Sequence, residues 1–225
     1  MVGPRLSVVI PTLNEAAHLP ALLASLTRAP DLVAAVIISD GGSTDATIPI
    51  ARAAGALLVE GAAGRGGQFR RGIARAPTPW LFLLHADSSL KPDWPAAIRP
   101  HLNTPRRAGY GRLRFASADP RARLLEAGVW LRCALFRLPY GDQGLLIHRD
   151  LLDAIGGMPD LPLMEDVALA RGLGRQRLAQ MNLVVTTDAS AYVRDGWFRR
   201  AAGNLWRLAR HCASSAAIRA ADYRR

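Results

Sequence analysis

Val33–Asp45 reads VAAVIISDGGSTD: an apolar run of strand length, an acid, two glycines, then hydroxyl and acidic side chains. A strand that is apolar on both faces belongs inside a sheet covered by helices on both sides. The same grammar recurs on either side of it. LSVVI (Leu6–Ile10) is closed by Pro11, and WLFLL (Trp80–Leu84) runs into His85-Ala86-Asp87. Between them Leu19, Leu22, Leu23 and Leu26 recur at helical spacing over 15–28. Ser43 or Thr44 can cap a helix ending near Ala54, with Gly55 as its stop signal. Ala56–Val59 reads as a short strand and Gln68–Ala76 as a helix. Strands alternating with helices predict an α/β fold with a mostly parallel central sheet flanked by helices.

After residue 105 the pattern loosens. Ala108–Phe115, Gly144–His148 and Met181–Thr187 are predicted strands; Arg121–Phe136 and Glu165–Leu173 are predicted helices. No repeat or linker divides the chain, so residues 1–225 are expected to form one domain, with a basic helical tail over about 195–225.

Half of the 225 residues are hydrophobic and 21% are charged, which supports a packed core and excludes a disordered chain. No apolar stretch is long enough for a membrane span, and the N-terminus lacks a signal-peptide pattern. The expected location is cytoplasmic. Cys133 and Cys212 lack metal-type spacing and suggest no disulfide framework. The net charge of +11 invites a nucleic-acid reading, yet 28 of 29 basic residues are arginine in a chain rich in Ala, Gly and Pro. That bias is what GC-rich coding produces, so nucleic acid is not an expected partner.

In open parallel sheets, ligands sit at the carboxyl ends of strands. That rule marks Thr12–Glu15, Asp40–Asp45 and His85–Ser88, all rich in polar or acidic residues. Asp40 can accept from a base edge or ribose, or can merely cap a turn. Asp87 can offer oxygen to a divalent cation, with His85 as a second ligand or a phosphate contact; the alternative is a packed histidine and a helix cap. Glu165 and Asp166 are adjacent carboxylates at a helix start, suited to proton abstraction or simply to complementing the helix dipole. Arg65, in GRGGQFRRG (Gly64–Gly72), is suited to gripping phosphate oxygens. In PYGDQG (Pro139–Gly144), Asp142 and Gln143 can contact a sugar or acceptor.

From Trp197 to Arg210 the chain reads WFRRAAGNLWRLAR, with Phe198, Ala201, Ala202, Leu205, Trp206 and Ala209 forming one apolar stripe. Such a helix either packs over the domain or lies on an anionic membrane. The second option favours a lipid or lipid-linked acceptor and peripheral association at the inner face of the plasma membrane.

In this order, VVIPTLNEA (Val8–Ala16), VIISDGGSTDAT (Val36–Thr47), WLFLLHADSSL (Trp80–Leu90), PYGDQG and PLMEDVALARGL (Pro162–Leu173) resemble family 2 glycosyltransferases of the GT-A fold. The likeness spans roughly residues 6–173. The HAD, PYGDQG and PLMED variants resemble a bacterial radical-SAM/selenodomain-associated subgroup. The resemblance implies an inverting transfer of a sugar from a nucleotide-diphosphate donor, UDP by default, to an unidentified acceptor. It implies that Pro11, Thr12, Asn14 and Glu15 lie along the nucleotide, that Asp40 bonds the base, and that Gly42 and Ser43 line the same pocket. Asp87 matches the last acid of the metal-binding DXD motif, whose first acid is His85 here, which leaves Mn2+ or Mg2+ open as the cofactor. Asp166 matches the catalytic base, with Glu165 beside it.

Two other readings stay open. A sugar nucleotidyltransferase shares this kind of sheet but follows its first strand with a glycine-rich loop, where this chain has TLNEA. A sugar-nucleotide-binding relic is expected to have lost Asp87 or Asp166, and both are present.

Overall fold

The computed structural model describes residues 5–161, 163–206 and 208. Among them, eight strands form one sheet in the order β3-β2-β1-β4-β7-β6-β8-β5. The first half is β1 (Leu6–Thr12), β2 (Val33–Asp40), β3 (Leu57–Glu60) and β4 (Trp80–Leu83), all parallel. The helices α1 (Leu19–Leu26), α2 (Thr47–Ala53) and α3 (Arg65–Ala74) connect them. Period-two alternation sorts the side chains of β1. Val8 and Ile10 join one core layer with the α1 leucines, while Val9 joins the opposite layer with Phe69 and Ile73 of α3.

The second half is mixed. It holds β5 (Ser88–Leu90), β6 (Ala108–Phe115), β7 (Leu145–His148) and β8 (Leu178–Thr187). Strand β7 runs antiparallel to β4 and β6, β6 is parallel to β8, and β5 closes the edge antiparallel to β8. The helices here are α4 (Trp94–Ile98), α5 (Pro120–Phe136), α6 (Arg149–Asp153), α7 (Glu165–Leu173) and α8 (Ser190–Asp195). The sheet is therefore wholly parallel across β3-β2-β1-β4 and mixed beyond it.

Several expected bounds change, among them α3, which spans Arg65–Ala74 rather than Gln68–Ala76, and β8, which starts at Leu178 rather than Met181. Strand β1 does not close at Pro11 but continues through it to Thr12, whose carbonyl accepts the Gly41 amide at 2.8 Å. Helix α1 begins at Leu19 rather than near 15, because 15–18 form a turn in which Glu15 O accepts from His18 and Leu19. Helix α2 begins only at Thr47 and is capped by neither Ser43 nor Thr44. Those residues are drawn into the neighbouring loop, where Ser43 Oγ donates to Asp40 and the Thr44 amide donates to Asn14 Oδ1.

The helical segment 197–206 follows α8. Trp197 is buried against Phe115 and Tyr192, at ring centroid distances of 5.4 Å each. Phe198, Leu205 and Trp206 are instead 55–60% exposed, so these members of the expected stripe face solvent, and the buried Trp197 lies outside it. Ala209, Arg210 and Cys212 lie outside the described residues. No helix among the described residues is long and apolar enough to cross a membrane.

Candidate functional site

The register of the parallel strands creates the site. Thr12 pairs with Asp40 across β1 and β2, and the Leu84 amide donates to Val9 O, so the loops after β1, β2 and β4 leave the sheet side by side. Above them lies a cleft of two adjoining lobes, about 360 and 240 Å3 in volume. Pro11, Thr12 and Glu15 line the first; Tyr140, Asp142 and Asp166 line the second. Arg65, His85 and Asp87 face both.

The first lobe is floored by an interlocked pair of loops. Buried Asp40 accepts from Thr12 Oγ1 (2.8 Å), the Gly42 amide (2.8 Å), and the Ser43 amide and hydroxyl (2.7 and 2.5 Å). Burial opposes its ionisation, but the bonds from Ser43, Thr12 and Gly42 outweigh that and hold it below the usual carboxylate range. Asn14, at φ 56°, donates its amide to Ser43 Oγ and accepts from the Thr44 amide, both at 2.8 Å. Asp40, Asn14, Gly42 and Ser43 thus form the frame beneath the lobe, with the acceptor positions of Asp40 filled internally. Glu15 lines the lobe, its Oε2 2.9 Å from His18 Nδ1; burial raises its pKa. Gln68, which sequence reasoning did not single out, bonds Thr12 O (2.7 Å) and Ser39 O (2.9 Å), clamping the two strand ends together.

His85 and Asp87 stand between the lobes. Burial, with help from Arg65, lowers the His85 pKa, so its imidazole is neutral at pH 7. Its Nε2 and Asp87 Oδ1 are buried without a hydrogen-bond partner, while Asp87 Oδ2 accepts from Thr187 at 3.0 Å. A neutral imidazole nitrogen and a carboxylate oxygen, both desolvated and unsatisfied, fit a divalent cation. No group of three or more His, Cys, Asp or Glu among the described residues could hold a metal alone. The pair therefore suits a cation whose remaining shell comes from phosphate and water.

Asp166 sits at the head of α7, after left-handed Met164 (φ 64°). Its Oδ2 accepts the Gly141 amide at 2.6 Å and its Oδ1 the Val167 amide at 2.8 Å. Glu165 points inward, 1% exposed, with Arg65 Nε 3.6 Å from its Oε1. Burial, against the pull of Arg65, pushes its pKa up to about 7. Arg65 is brought there because the Gly66 amide donates to Leu161 O at 3.0 Å, tying α3 to the segment before α7. Asp142 lines the second lobe with Oδ1 unpartnered, and burial raises its pKa to about 6 despite Arg132.

Gln143 turns away from the cleft. Its Nε2 donates to Gly111 O at 2.9 Å and its Oε1 accepts the Tyr140 amide at 3.2 Å, so it pegs the loop to β6. Asp188, Tyr192, Arg200 and Asn204 also line the second lobe and were not expected from sequence.

The family model "Glycosyl transferase family 2" matches residues 7–157, about two thirds of the chain. The chain belongs to this family.

Proteins similar to part of this chain are named glycosyltransferases. A PGL/p-HBAD biosynthesis glycosyltransferase of Mycobacterium bovis BCG is 38% identical over 97 residues, 40% of this chain and 38% of the relative. An uncharacterized glycosyltransferase of Mycobacterium tuberculosis H37Rv is 37% identical over 91 residues, 40% of each chain. The matched stretch thus spans well under half of these curated relatives. Among solved structures, glucosyl-3-phosphoglycerate synthase of M. tuberculosis, in complex with Mn2+, UDP and glucosyl-3-phosphoglycerate, superposes with a TM-score of 0.60. It is 26% identical and covers 81% of this chain and 71% of its own. The α/β fold of a GT-A glycosyltransferase is thereby established.

Proposed function

We propose that this chain transfers a sugar from a UDP-sugar to an acceptor hydroxyl in one displacement, with inversion at the anomeric carbon. The observation that carries the reading is the cleft itself. Unsatisfied His85 Nε2 and Asp87 Oδ1 stand between a lobe floored by strand-end loops and a lobe lined with carboxylates. The nucleotide occupies the first lobe along Pro11, Thr12 and Glu15, over the frame of Asn14, Asp40, Gly42 and Ser43. The Mn2+ and UDP named for the structural relative support this donor and metal.

His85 and Asp87 would hold a divalent cation, Mn2+ in preference to Mg2+ because one ligand is an imidazole. When bound, it neutralises charge on the diphosphate. Arg65 adds a guanidinium to the leaving phosphate oxygens. The acceptor oxygen attacks the anomeric carbon while the bond from that carbon to the diphosphate oxygen breaks. Asp166 takes the acceptor proton, and UDP departs with the bonding electrons. Asp166 is suited to this because two backbone amides fix its orientation within the second lobe. Glu165 keeps Arg65 oriented, and Asp142 contacts the sugar or the incoming hydroxyl.

Within the family, the HAD, PYGDQG and PLMED signatures support the radical-SAM/selenodomain-associated subgroup. Activity is placed on the cytoplasmic side, where nucleotide sugars are made. The test is turnover of radiolabelled UDP-glucose and UDP-N-acetylglucosamine with Mn2+, following UDP release. Asp166→Asn should lower kcat at least about 10²-fold with UDP affinity unchanged. Full turnover by Asp166→Asn removes it from the role of base. Pyrophosphate release from a nucleoside triphosphate and sugar phosphate favours a nucleotidyltransferase instead.

A further inference from the structure

A third cavity opens from the second lobe, and nothing in the donor chemistry uses it. It is a groove of about 570 Å3 between α5 and the helical residues 197–206 and 208. It shares Tyr140, Asp142, Tyr192 and Asn204 with the cleft, so its inner end is the carboxylate end of the reaction site. Beyond that end the walls are mostly apolar, chiefly leucines. Val129, Leu131 and Leu135 of α5 form one bank, and Leu205 and Leu208 form the other.

These walls face water. Leu131, Leu135, Phe136 and Leu205 are 49%, 51%, 64% and 60% exposed, a contiguous apolar surface of the kind that marks a binding site. Arg132, the cation in the groove, is already engaged: its guanidinium sits 3.4 Å from the Tyr140 ring centroid and its Nε donates to Leu138 O at 2.9 Å. The groove thus changes from polar at Asp142, whose Oδ1 is unpartnered, to mostly apolar outward. An amphiphile has that same gradient.

We propose that the groove receives the apolar body of the acceptor, an aliphatic-chain alcohol whose hydroxyl enters the cleft at Asp142 and Asp166. This deepens the glycosyl-transfer reading by naming the acceptor class, and rests on it. Continuity with the reaction site selects this occupant over a second copy of the chain or a bilayer surface, neither of which requires the groove to end at a carboxylate. Each methylene drawn from water into the groove should raise affinity about fourfold until the groove is filled.

The experiment is fluorescence titration of the full-length protein with cis-parinaryl alcohol, followed by displacement with 1-octanol, 1-decanol and 1-dodecanol. In parallel, the thermal shift given by UDP with Mn2+ is recorded. Saturable binding is expected, with displacement strengthening along the series. Leu131→Asp and Leu135→Asp, at half-exposed positions the fold tolerates, should each weaken it at least tenfold and leave the UDP–Mn2+ shift unchanged. Leu135→Ala should weaken it less. Absence of saturable binding beside an intact UDP–Mn2+ shift overturns the groove proposal alone; alcohol binding without a UDP–Mn2+ shift overturns the donor reading alone. If the Asp variants instead lose binding to phosphatidylglycerol vesicles, or lose self-association in sedimentation, while no monomeric alcohol binds, the groove is a docking surface and the proposal fails.

Discussion

The backbone amide of Gly141 donates to Asp166 Oδ2 at 2.6 Å, while a Cβ on that glycine would lie 2.5 Å from His85 Nε2. One residue without a side chain therefore spaces the proposed base from the proposed metal ligand. It lies in the loop between α5 and β7, whose Gln143 is pegged to β6, so the spacing is set by the sheet.

Gly141→Ala must displace the imidazole or break the bond to Asp166. The expected result is a loss of about 1–3 kcal/mol of stability and a markedly weaker Mn2+ dependence of UDP binding. Melting curves and calorimetric titration of UDP with and without Mn2+ check it. Unchanged metal dependence with the fold intact would show that His85 is not a ligand.

Glu165 makes a pH-dependent contribution whose sign is fixed. Its pKa rises from 4.5 unfolded to about 7 folded, so the native state holds the proton more tightly. Stability from this group is complete below pH 4.5 and is lost as pH rises toward 7. Glu165→Gln should match wild type near pH 4 and exceed it by about 2–3 kcal/mol at pH 8. Urea unfolding in chelator at both pH values reads the difference. A variant less stable than wild type at pH 8 would contradict the buried, weakly paired carboxyl.

Asp142, with a pKa raised to about 6, should set an acid limb in the turnover profile. Rates of UDP-sugar turnover should fall as pH drops through 6, and Asp142→Asn should lower the rate and abolish that limb. Retention of the limb in Asp142→Asn assigns it to another group.

Asp40 has the opposite linkage. Its pKa is lowered in the folded protein, so its stabilisation is present above about pH 4 and is lost on further acidification. Asp40→Asn presents an NH2 where four donors converge, and should cost about 1–3 kcal/mol at pH 7, with the gap narrowing at pH 3. Denaturant titration at the two pH values tests this. An equal gap at both would mean that the charge is not what holds the loop.

What the sequence showed follows from what is local. The apolar runs Leu6–Ile10, Val33–Ser39 and Trp80–Leu84 announce the parallel strands and their ligand edge, because a buried strand needs only its own residues to be recognised. Glu165–Leu173 and Ala108–Phe115 were legible with their observed bounds for the same reason. Strand β5 was not, since three residues become a strand only by pairing with β8, about a hundred residues later. The direction of a side chain was equally hidden. Asp40 and Gln143 have the chemistry of ligand contacts, yet one is filled by four internal donors and the other is pegged to Gly111 O. Asp188, Tyr192 and Arg200 enter the cleft because Trp197 packs on Phe115, a tertiary contact with no periodic signature.

Donor and metal binding are read together by thermal unfolding with UDP, GDP, CDP and dTDP, each with Mn2+, Mg2+ or chelator, on wild type and Asp87→Ala. A ligand at a hundred times its dissociation constant stabilises by about 2.7 kcal/mol, roughly 5–10 °C for a chain of this size. Such a rise is expected for UDP with Mn2+, smaller with Mg2+, and absent in chelator or in Asp87→Ala. No shift with any diphosphate in a folded protein, or a full shift retained by Asp87→Ala, would contradict the donor reading.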